Sequence, residues 1–180
     1  MEDQPIKFTR DIKKPHTEDY GRDWETSLFQ LHPEDTFFMI KKTLKDVGVK
    51  YDKNTKFLEL GSSRGRVVSY FKQRGLDIVG VDVRNPDKKN GSTILARVEQ
   101  LPLPDNSFDV IFSYGLFDSD EYDQDKKLML TEICRVLRKG GVYFVVNLSG
   151  HYGSFIDKEL KGLPLKEVEC SLGNAYKKVE

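Results

Sequence analysis

The stretch KFLELGSSRG, residues 56–65, decides the fold of this chain. Its first half is a short apolar strand, residues 56–60, which runs directly into a turn with glycine at Gly61 and Gly65. A helix follows the turn and ends at Gly75. Glycines let a backbone pass close to a ligand, and the N-terminus of a helix offers free N–H groups. The stretch therefore predicts a ligand-binding loop between a first strand and a first helix.

The segments around this loop predict an α/β fold. A helix precedes it, with Pro33 at its first position and Gly48 as its end, and a later helix carries the apolar residues from Leu128 to Leu137. Four further apolar segments read as strands, at residues 77–83, 92–98, 109–115 and 142–148. Strands that are apolar throughout and alternate with helices indicate a mainly parallel sheet with helices on both faces.

The two ends of the chain differ from this alternating pattern. Residues 1–31 are polar and irregular, and they predict an N-terminal arm or lid with a short helix near Trp24 to Leu31. Residues 32–180 are predicted to form a single domain, which closes with a short strand pair around Gly173 and Asn174. The first residues lack the pattern of a secretory signal, and no apolar run approaches the roughly 20 residues of a membrane span. The expected location is the cytoplasm.

Composition restricts the classes of function. The chain has 180 residues, the size of one domain, with 29 Lys and Arg against 29 Asp and Glu and a pI of about 6.8. This balance gives no signal for bulk nucleic-acid binding, although a local basic patch is compatible with it. Cys134 and Cys170 make no metal-ligand spacing and fit a reducing compartment.

The glycine turn is compatible with two kinds of nucleotide ligand, and the neighbouring residues help to distinguish them. A dinucleotide site prefers G-x-G-x-x-G, but here those three positions are Gly61, Ser63 and Arg66, so the third glycine is missing. Glu59 lies two residues before Gly61, where an acidic group meets a cationic ligand better than a phosphate. Asp82 ends the second strand, 21 residues after Gly61, where a carboxylate can accept both hydroxyls of a ribose.

Four segments in order resemble the successive motifs of the class I S-adenosylmethionine-dependent methyltransferases. They are ELGSSRG (59–65), VGVDV (79–83), EQLPLPDNSFDVIFS (99–113) and EICRVLRKGGVYFVV (132–146). The resemblance covers about residues 55–148, roughly half of the chain. It implies a Rossmann-like sheet of order 3-2-1-4-5-7-6 with an antiparallel seventh strand. It also implies S-adenosylmethionine as the cofactor and S-adenosylhomocysteine as the product.

The resemblance further implies roles for residues at the methionine end of the cofactor. Gly61, Ser63 and Gly65 would lie against the methionine and the ribose. Glu59 would lie near the methionine amino group, directly or through water. Ser113 would face the methionine moiety.

At the nucleoside end, the resemblance implies that Asp82 holds the ribose hydroxyls and that Val83 packs on the adenine. Val98 and Glu99 would line the adenine edge. No catalytic base and no metal ligand is predicted.

Three positions depart from the family pattern. Ser63 stands where the family turn usually has glycine, and serine tolerates a positive φ poorly. Arg97 stands where the family often has an acidic residue, and a guanidinium cannot accept a hydrogen bond from the adenine amino group. The usual proline before the paired glycines, Gly140 and Gly141, is absent.

The acceptor is less determined than the cofactor. The fourth strand is followed by Ser113-Tyr114-Gly115-Leu116 rather than an Asn/Asp-Pro-Pro-aromatic motif, which disfavours acceptors with planar nitrogens. His151 and Tyr152 follow the fifth strand, either at the acceptor rim or in a solvent-exposed loop. The acidic run at residues 118–125 is either a solvated loop and helix start or an attractor for a cationic acceptor.

Two functions follow from the sequence. The first is transfer of a methyl group from S-adenosylmethionine to an unidentified small-molecule acceptor. The alternative is a non-catalytic relative that binds S-adenosylmethionine or a protein partner. Neither function involves a membrane.

Overall fold

The computed structural model of the chain describes residues 32–83, 93–117, 126–146 and 156–179. The predicted arm or lid at residues 1–31, the acidic run at 118–125, and His151 and Tyr152 lie outside the described residues. None of the helices within the described ranges is long and apolar enough to cross a membrane.

A mixed β-sheet forms the centre of the described part of the chain. Its strands run in the order β3-β2-β1-β4-β5-β7-β6, with β7 antiparallel to both of its neighbours and the other pairings parallel. The predicted order 3-2-1-4-5-7-6 is therefore confirmed, together with the predicted strand pair near the end of the chain. The strands are β1 Lys56–Leu60, β2 Asp77–Asp82, β3 Thr93–Leu95, β4 Phe108–Tyr114, β5 Leu137–Val146, β6 Leu165–Val168 and β7 Asn174–Lys178.

Helices cover both faces of this sheet, as predicted. The helices α1 (Pro33–Asp46) and α2 (Arg66–Lys72) pack on one face, where Ile40, Leu44 and Phe71 are buried. On the other face lie α3 (Lys126–Val136), the short helix α4 (Asp157–Leu160) and a 3₁₀ turn at Val98–Gln100. Because the central strands are buried on both faces, their sequences are apolar at almost every position.

The third strand is shorter than predicted. We expected residues 92–98, but β3 is Thr93–Leu95 and residue 92 is outside the described ranges. The Ala96 N–H still donates to the Asp82 carbonyl at 2.9 Å, after which the chain leaves the sheet. Val98 then begins the 3₁₀ turn instead of ending a strand.

The junction between α3 and β5 also differs from the prediction. The sequence suggested a helix that includes Leu137 and ends at the paired glycines, followed by a strand at 142–148. Instead α3 ends at Val136, and β5 begins at once with Leu137, which pairs with Phe108 of β4. The pairing of β4 with β5 shifts register between Phe108 and Val110, and this irregularity accommodates the additional residues at the start of β5.

A lysine from the last strand stabilises this abrupt junction. Lys178 on β7 is buried, and its ammonium donates to the carbonyls of Cys134 and Leu137 at 2.7 and 2.6 Å. A third bond, at 2.8 Å, goes to the side-chain oxygen of Asn106. Because the carbonyls at the C-terminus of a helix lack partners within the helix, a cation here satisfies them and complements the helix dipole.

We predict that Lys178→Met destabilises the fold by about 2–3 kcal/mol, because it leaves buried carbonyls without a donor. Urea unfolding monitored by circular dichroism measures this loss. The control is Lys166→Met on the exposed part of β6, which makes the same chemical change at the surface. Equal effects of the two substitutions would contradict the capping role.

Candidate functional site

The turn after β1 is held against the end of β2 by backbone hydrogen bonds. The N–H groups of Gly61 and Ser62 both donate to the Val81 carbonyl, at 2.8 and 3.0 Å. Gly61 and Gly65 have φ values of +76° and +68°, a region that favours glycine. The two glycines therefore allow the chain to reverse direction between β1 and α2.

Ser63 also adopts a left-handed conformation, with φ of +47°. Its backbone N–H donates to Oδ2 of Asp82 at 2.7 Å. A left-handed conformation costs an L-residue about 1–2 kcal/mol, whereas a hydrogen bond to a charged acceptor contributes about 1.5–3 kcal/mol. The bond to Asp82 thus offsets the strain, so serine in place of glycine is compatible with this turn.

A glycine that the sequence analysis did not single out makes the turn compact. Gly80 lies in the middle of β2, and a Cβ at this position would come within 2.7–2.9 Å of the side chains of Ser62 and Val68. Any larger residue would push the turn and α2 away from the sheet. A glycine inside an apolar strand is itself a signal of such a close approach.

An open cleft lies beside this turn. It is located at the carboxyl ends of β1, β2 and β4, where ligands bind in open α/β sheets. The lining residues are Gly61, Val81, Asp82, Val83, Ala96, Val98, Glu99 and Leu116. Five of these were predicted from the sequence: Gly61, Asp82, Val83, Val98 and Glu99.

The other four predicted residues lie around the cleft rather than in its lining. Ser63 is exposed in the turn, and Gly65 precedes the first residue of α2. Ser113 is fully buried on β4, where its hydroxyl shares a hydrogen bond of 2.9 Å with the hydroxyl of Tyr143. Burial raises the pKa of Tyr143, so this hydroxyl stays protonated.

Glu59, the fourth of these residues, is a buried carboxyl group with one unpartnered oxygen. It lies on β1 between Gly80 of β2 and Phe112 of β4 and is only 5% exposed. Its Oε2 has no hydrogen-bond partner among the described residues. Burial raises the pKa of Glu59 well above its ordinary value, and the negative charge of Asp82 raises it further. The site therefore favours a positive charge near Glu59.

An ion pair lies at the other end of the cleft. Arg97 precedes the 3₁₀ turn and donates to Oε1 of Glu99 at 2.8 Å. The Glu99 side chain is 13% exposed and that of Arg97 is 30% exposed. The pair is therefore partly shielded from solvent, and the guanidinium restricts the position of the Glu99 carboxylate.

Two charged residues of α3 hold the segment that follows the 3₁₀ turn. Glu132 is buried and accepts from the Leu101 N–H at 2.8 Å. Arg135 pairs with Glu132 and donates to the carbonyls of Leu101 and Leu103, each at 2.8 Å. Sequence reasoning missed this clamp, although a Glu and an Arg three positions apart in an apolar helix are a signal for it.

Comparison with known proteins identifies a related family. Residues 58–145 match the sequence model of a family described as a methyltransferase domain. An uncharacterized methyltransferase of Mycobacterium tuberculosis is 32% identical over 91 residues, which are 47% of this chain and 36% of that protein. A glycine/sarcosine/dimethylglycine N-methyltransferase of Actinopolyspora halophila is 26% identical over 141 residues, 69% of this chain and 24% of that protein. The chain thus spans about a third or less of the length of these relatives.

A solved structure has the same fold. The 1,6-didemethyltoxoflavin-N1-methyltransferase of Burkholderia thailandensis, which contains bound 1,6-didemethyltoxoflavin and S-adenosylhomocysteine, matches with a TM-score of 0.54 and 18% identity. The match covers 69% of this chain and 71% of that chain.

We predict that Glu59→Gln becomes more stable relative to the wild type as the pH rises, in terms of the free energy of unfolding. The folded-state pKa of Glu59 is raised, so at low pH the carboxyl is protonated in both the folded and the unfolded state and folding involves no change of its charge. As pH rises above the unfolded-state pKa, the wild type loses up to about 1.4 kcal/mol per pH unit, and the glutamine variant does not.

Melting temperatures measured between pH 4 and 8 test this prediction, with Glu167→Gln on the exposed part of β6 as the control. A difference between Glu59→Gln and the wild type that does not change with pH would contradict it.

Proposed function

We propose that this chain binds S-adenosylmethionine and transfers its methyl group to a small-molecule acceptor, because residues 58–145 match the sequence model of a methyltransferase domain. The observation that carries the proposal is the pair of carboxyl groups at the ends of β1 and β2. Glu59 is buried and lacks a partner for Oε2 among the described residues, and Asp82 lines the adjacent cleft.

The charge around Glu59 supports a cationic ligand. A buried carboxyl group is unfavourable until a donor or a cation satisfies it. The methionine part of S-adenosylmethionine carries an ammonium group that would supply both, whereas the pyrophosphate of a dinucleotide would be repelled. Glu59 would therefore hold the amino-acid end of the cofactor beside Gly61.

The geometry of Asp82 supports a ribose at the next position. A carboxylate has about four lone-pair sites, and the Ser63 N–H uses one at Oδ2. A carboxylate at the end of a strand can accept from two adjacent hydroxyl groups. The same carboxylate would then hold the ribose and keep the turn in the conformation that receives the ligand.

The apolar lining supports a flat base beyond the ribose. Val83, Ala96, Val98 and Leu116 provide the apolar surface, and Val83 and Val98 are the residues we assign to the faces and edge of the adenine. The buried Ser113 is assigned to the methionine side through its position near the end of β4. These contacts would orient the cofactor without acid or base chemistry.

Positioning is the catalytic contribution that we assign to the described residues. The bound sulfonium supplies an activated methyl group together with its leaving group. Holding the donor and the acceptor in line then accounts for much of the rate. Glu59 and Asp82 would hold the methionine and the ribose on either side of the sulfonium, which would determine the direction in which the methyl group points.

The relatives support a small molecule as the acceptor. The Actinopolyspora and Burkholderia enzymes are both named for small-molecule substrates. The free thiols of Cys134 and Cys170 support a reducing compartment such as the cytoplasm.

The competing proposal is a relative that keeps the fold without turnover. The observation that favours it is Arg97, which brings a guanidinium to the base end of the cleft. Isothermal titration with S-adenosylmethionine, S-adenosylhomocysteine and NAD, combined with a methyl-transfer assay, distinguishes these proposals, because only the enzyme transfers the methyl group. The enzyme binds the first two at micromolar levels and, with methyl-labelled cofactor, labels a small-molecule fraction of a cell extract. Binding of NAD alone would exclude both proposals.

We predict that Asp82→Ala weakens the binding of S-adenosylhomocysteine at least tenfold, because it removes a charged acceptor of the ribose hydroxyls. Isothermal titration measures the change. Asp77→Ala, at the exposed start of the same strand, is the matched control and leaves the affinity unchanged. Unchanged affinity in Asp82→Ala would refute the ribose assignment.

A further inference from the structure

An exposed cluster of rings and cations lies on the α1 and α2 side of the sheet, and the proposed function does not use it. We call it the α1–α2 patch, and its members are Phe37, Phe38, Lys41, Tyr70 and Arg74. Phe38 is 65% exposed, more than any other large apolar side chain in the described ranges. Phe37 contacts Tyr70 edge to face, with 5.7 Å between the ring centroids, and so joins the two helices at this patch. Such a combination of rings and cations favours an interaction surface.

The cations of the patch lie over its rings. The Lys41 ammonium is 5.6 Å from the centroid of Phe37. The Arg74 guanidinium is 5.7 Å from the same centroid and 3.3 Å from that of Tyr70. Lys41 and Arg74 are exposed residues, so both charges are accessible to an anionic partner.

The helices that carry the patch have an excess of cations. In the described helices α1 and α2, Glu34 and Asp35 are confined to the first turn of α1, and Asp46 is the only acidic residue after it. Lysines and arginines follow that turn at five positions of the same two helices. Asp46 already accepts from the Lys42 ammonium at 3.3 Å and from the Ser171 N–H at 3.0 Å. The patch therefore favours a partner that combines negative charge with aromatic or apolar surface.

The sequence carries a segment of this chemistry directly before α1. Residues 18–25, EDYGRDWE, contain four carboxylates against one arginine, and Trp24 is the only tryptophan of the chain. Residues 28–31, LFQL, are apolar at three of their four positions. Indole is the best ring partner for a cation, and the neighbouring carboxylates would add ion pairs to such a contact.

We propose that residues 18–31 are an intramolecular ligand of the α1–α2 patch and run back along α1. The apolar residues 28–31 would cover Phe38, and the acidic stretch around the tryptophan would contact Lys41 and Arg74. This inference is independent of the proposed function, since none of its residues is assigned to the cofactor.

The lengths of the two segments are compatible with this arrangement. An α-helix rises about 1.5 Å per residue, so Phe38 and Lys41 lie about 9 and 14 Å along α1 from His32. An extended chain spans at most about 3.3–3.6 Å per residue, so the eight positions from His32 back to Trp24 reach up to about 26–29 Å. Covalent attachment also gives the segment an effective concentration on the order of millimolar, so weak contacts suffice for docking.

A lid over the cleft is the alternative position of this segment, and the charges oppose it. The cleft is lined by the carboxylates of Asp82 and Glu99, and the buried carboxyl group of Glu59 lies beside it. Residues 18–25 are themselves acidic, so like charges would meet there, whereas they would meet cations at the patch. The α1–α2 patch is therefore the better match.

The test measures the exposure of Trp24 in the full chain by acrylamide quenching of its fluorescence, corrected for the fluorescence lifetime. We expect the double variant Lys41→Glu, Arg74→Glu to raise the quenching constant about twofold over the wild type, because two ion pairs become repulsions. Lys158→Glu, on an exposed lysine of α4 on the other face of the sheet, leaves the constant unchanged. Equal quenching in the wild type and the double variant would overturn the proposal.

A charge exchange separates docking from a local change of the fold. Asp23→Lys with Glu25→Lys exposes Trp24 when the patch is unchanged. The same two substitutions restore the shielding when they are combined with Lys41→Glu and Arg74→Glu, because the attraction then returns with reversed signs. A combined variant that stays as exposed as either pair alone would overturn the pairing of this segment with the patch.

The same measurement distinguishes the patch from the cleft. A segment on the patch shields Trp24 equally with and without S-adenosylhomocysteine. Shielding that appears only with this ligand, and that the double variant does not change, would place the segment over the cleft and overturn the proposal. An exposed Trp24 in a wild type that binds a labelled single-stranded oligonucleotide through Lys41 and Arg74 would overturn it as well, and would assign the patch to nucleic acid.

Discussion

The hydrogen bond from the Ser63 N–H to the Asp82 carboxylate is the contact on which the cleft depends. It connects the turn after β1 to the end of β2, and it stabilises a serine in a left-handed conformation that is otherwise unfavourable. Gly80 lets the turn and α2 pack closely on β2, since the absence of a side chain leaves room for Ser62 and Val68. The shape of the cleft therefore follows from two strand ends that are held at a short separation.

The electrostatics of the site oppose the stability of the fold. Glu59 is a buried carboxyl group, and its pKa is raised by burial and by the negative charge of Asp82. Such a pair is unfavourable in a protein selected for stability alone, but it becomes favourable when a cation binds. The proposed ammonium group would relieve this repulsion, which explains why an acidic residue precedes a turn of the kind that binds phosphates in dinucleotide sites.

The sequence predicted the contacts that are local along the chain or carried by motifs. The turn at Gly61 and the strand-end carboxylate Asp82 were recognisable because glycines and apolar runs carry their own signals. The strand order and Glu99 were implied by the family resemblance. Contacts between distant segments were not predictable. Lys178 reaches the end of α3, and the charged pair Glu132 and Arg135 holds the segment after the 3₁₀ turn. These contacts involve partners 31–44 positions apart, and no local periodicity encodes them.

The most direct test of the account is a crystal structure of the chain with S-adenosylhomocysteine. We expect both ribose hydroxyls to bind Asp82, the amino group to lie within hydrogen-bond reach of Glu59 and the base to pack against Val83 and Val98. A ligand bound elsewhere, or bound in the reverse orientation with its base beside Glu59, would contradict it.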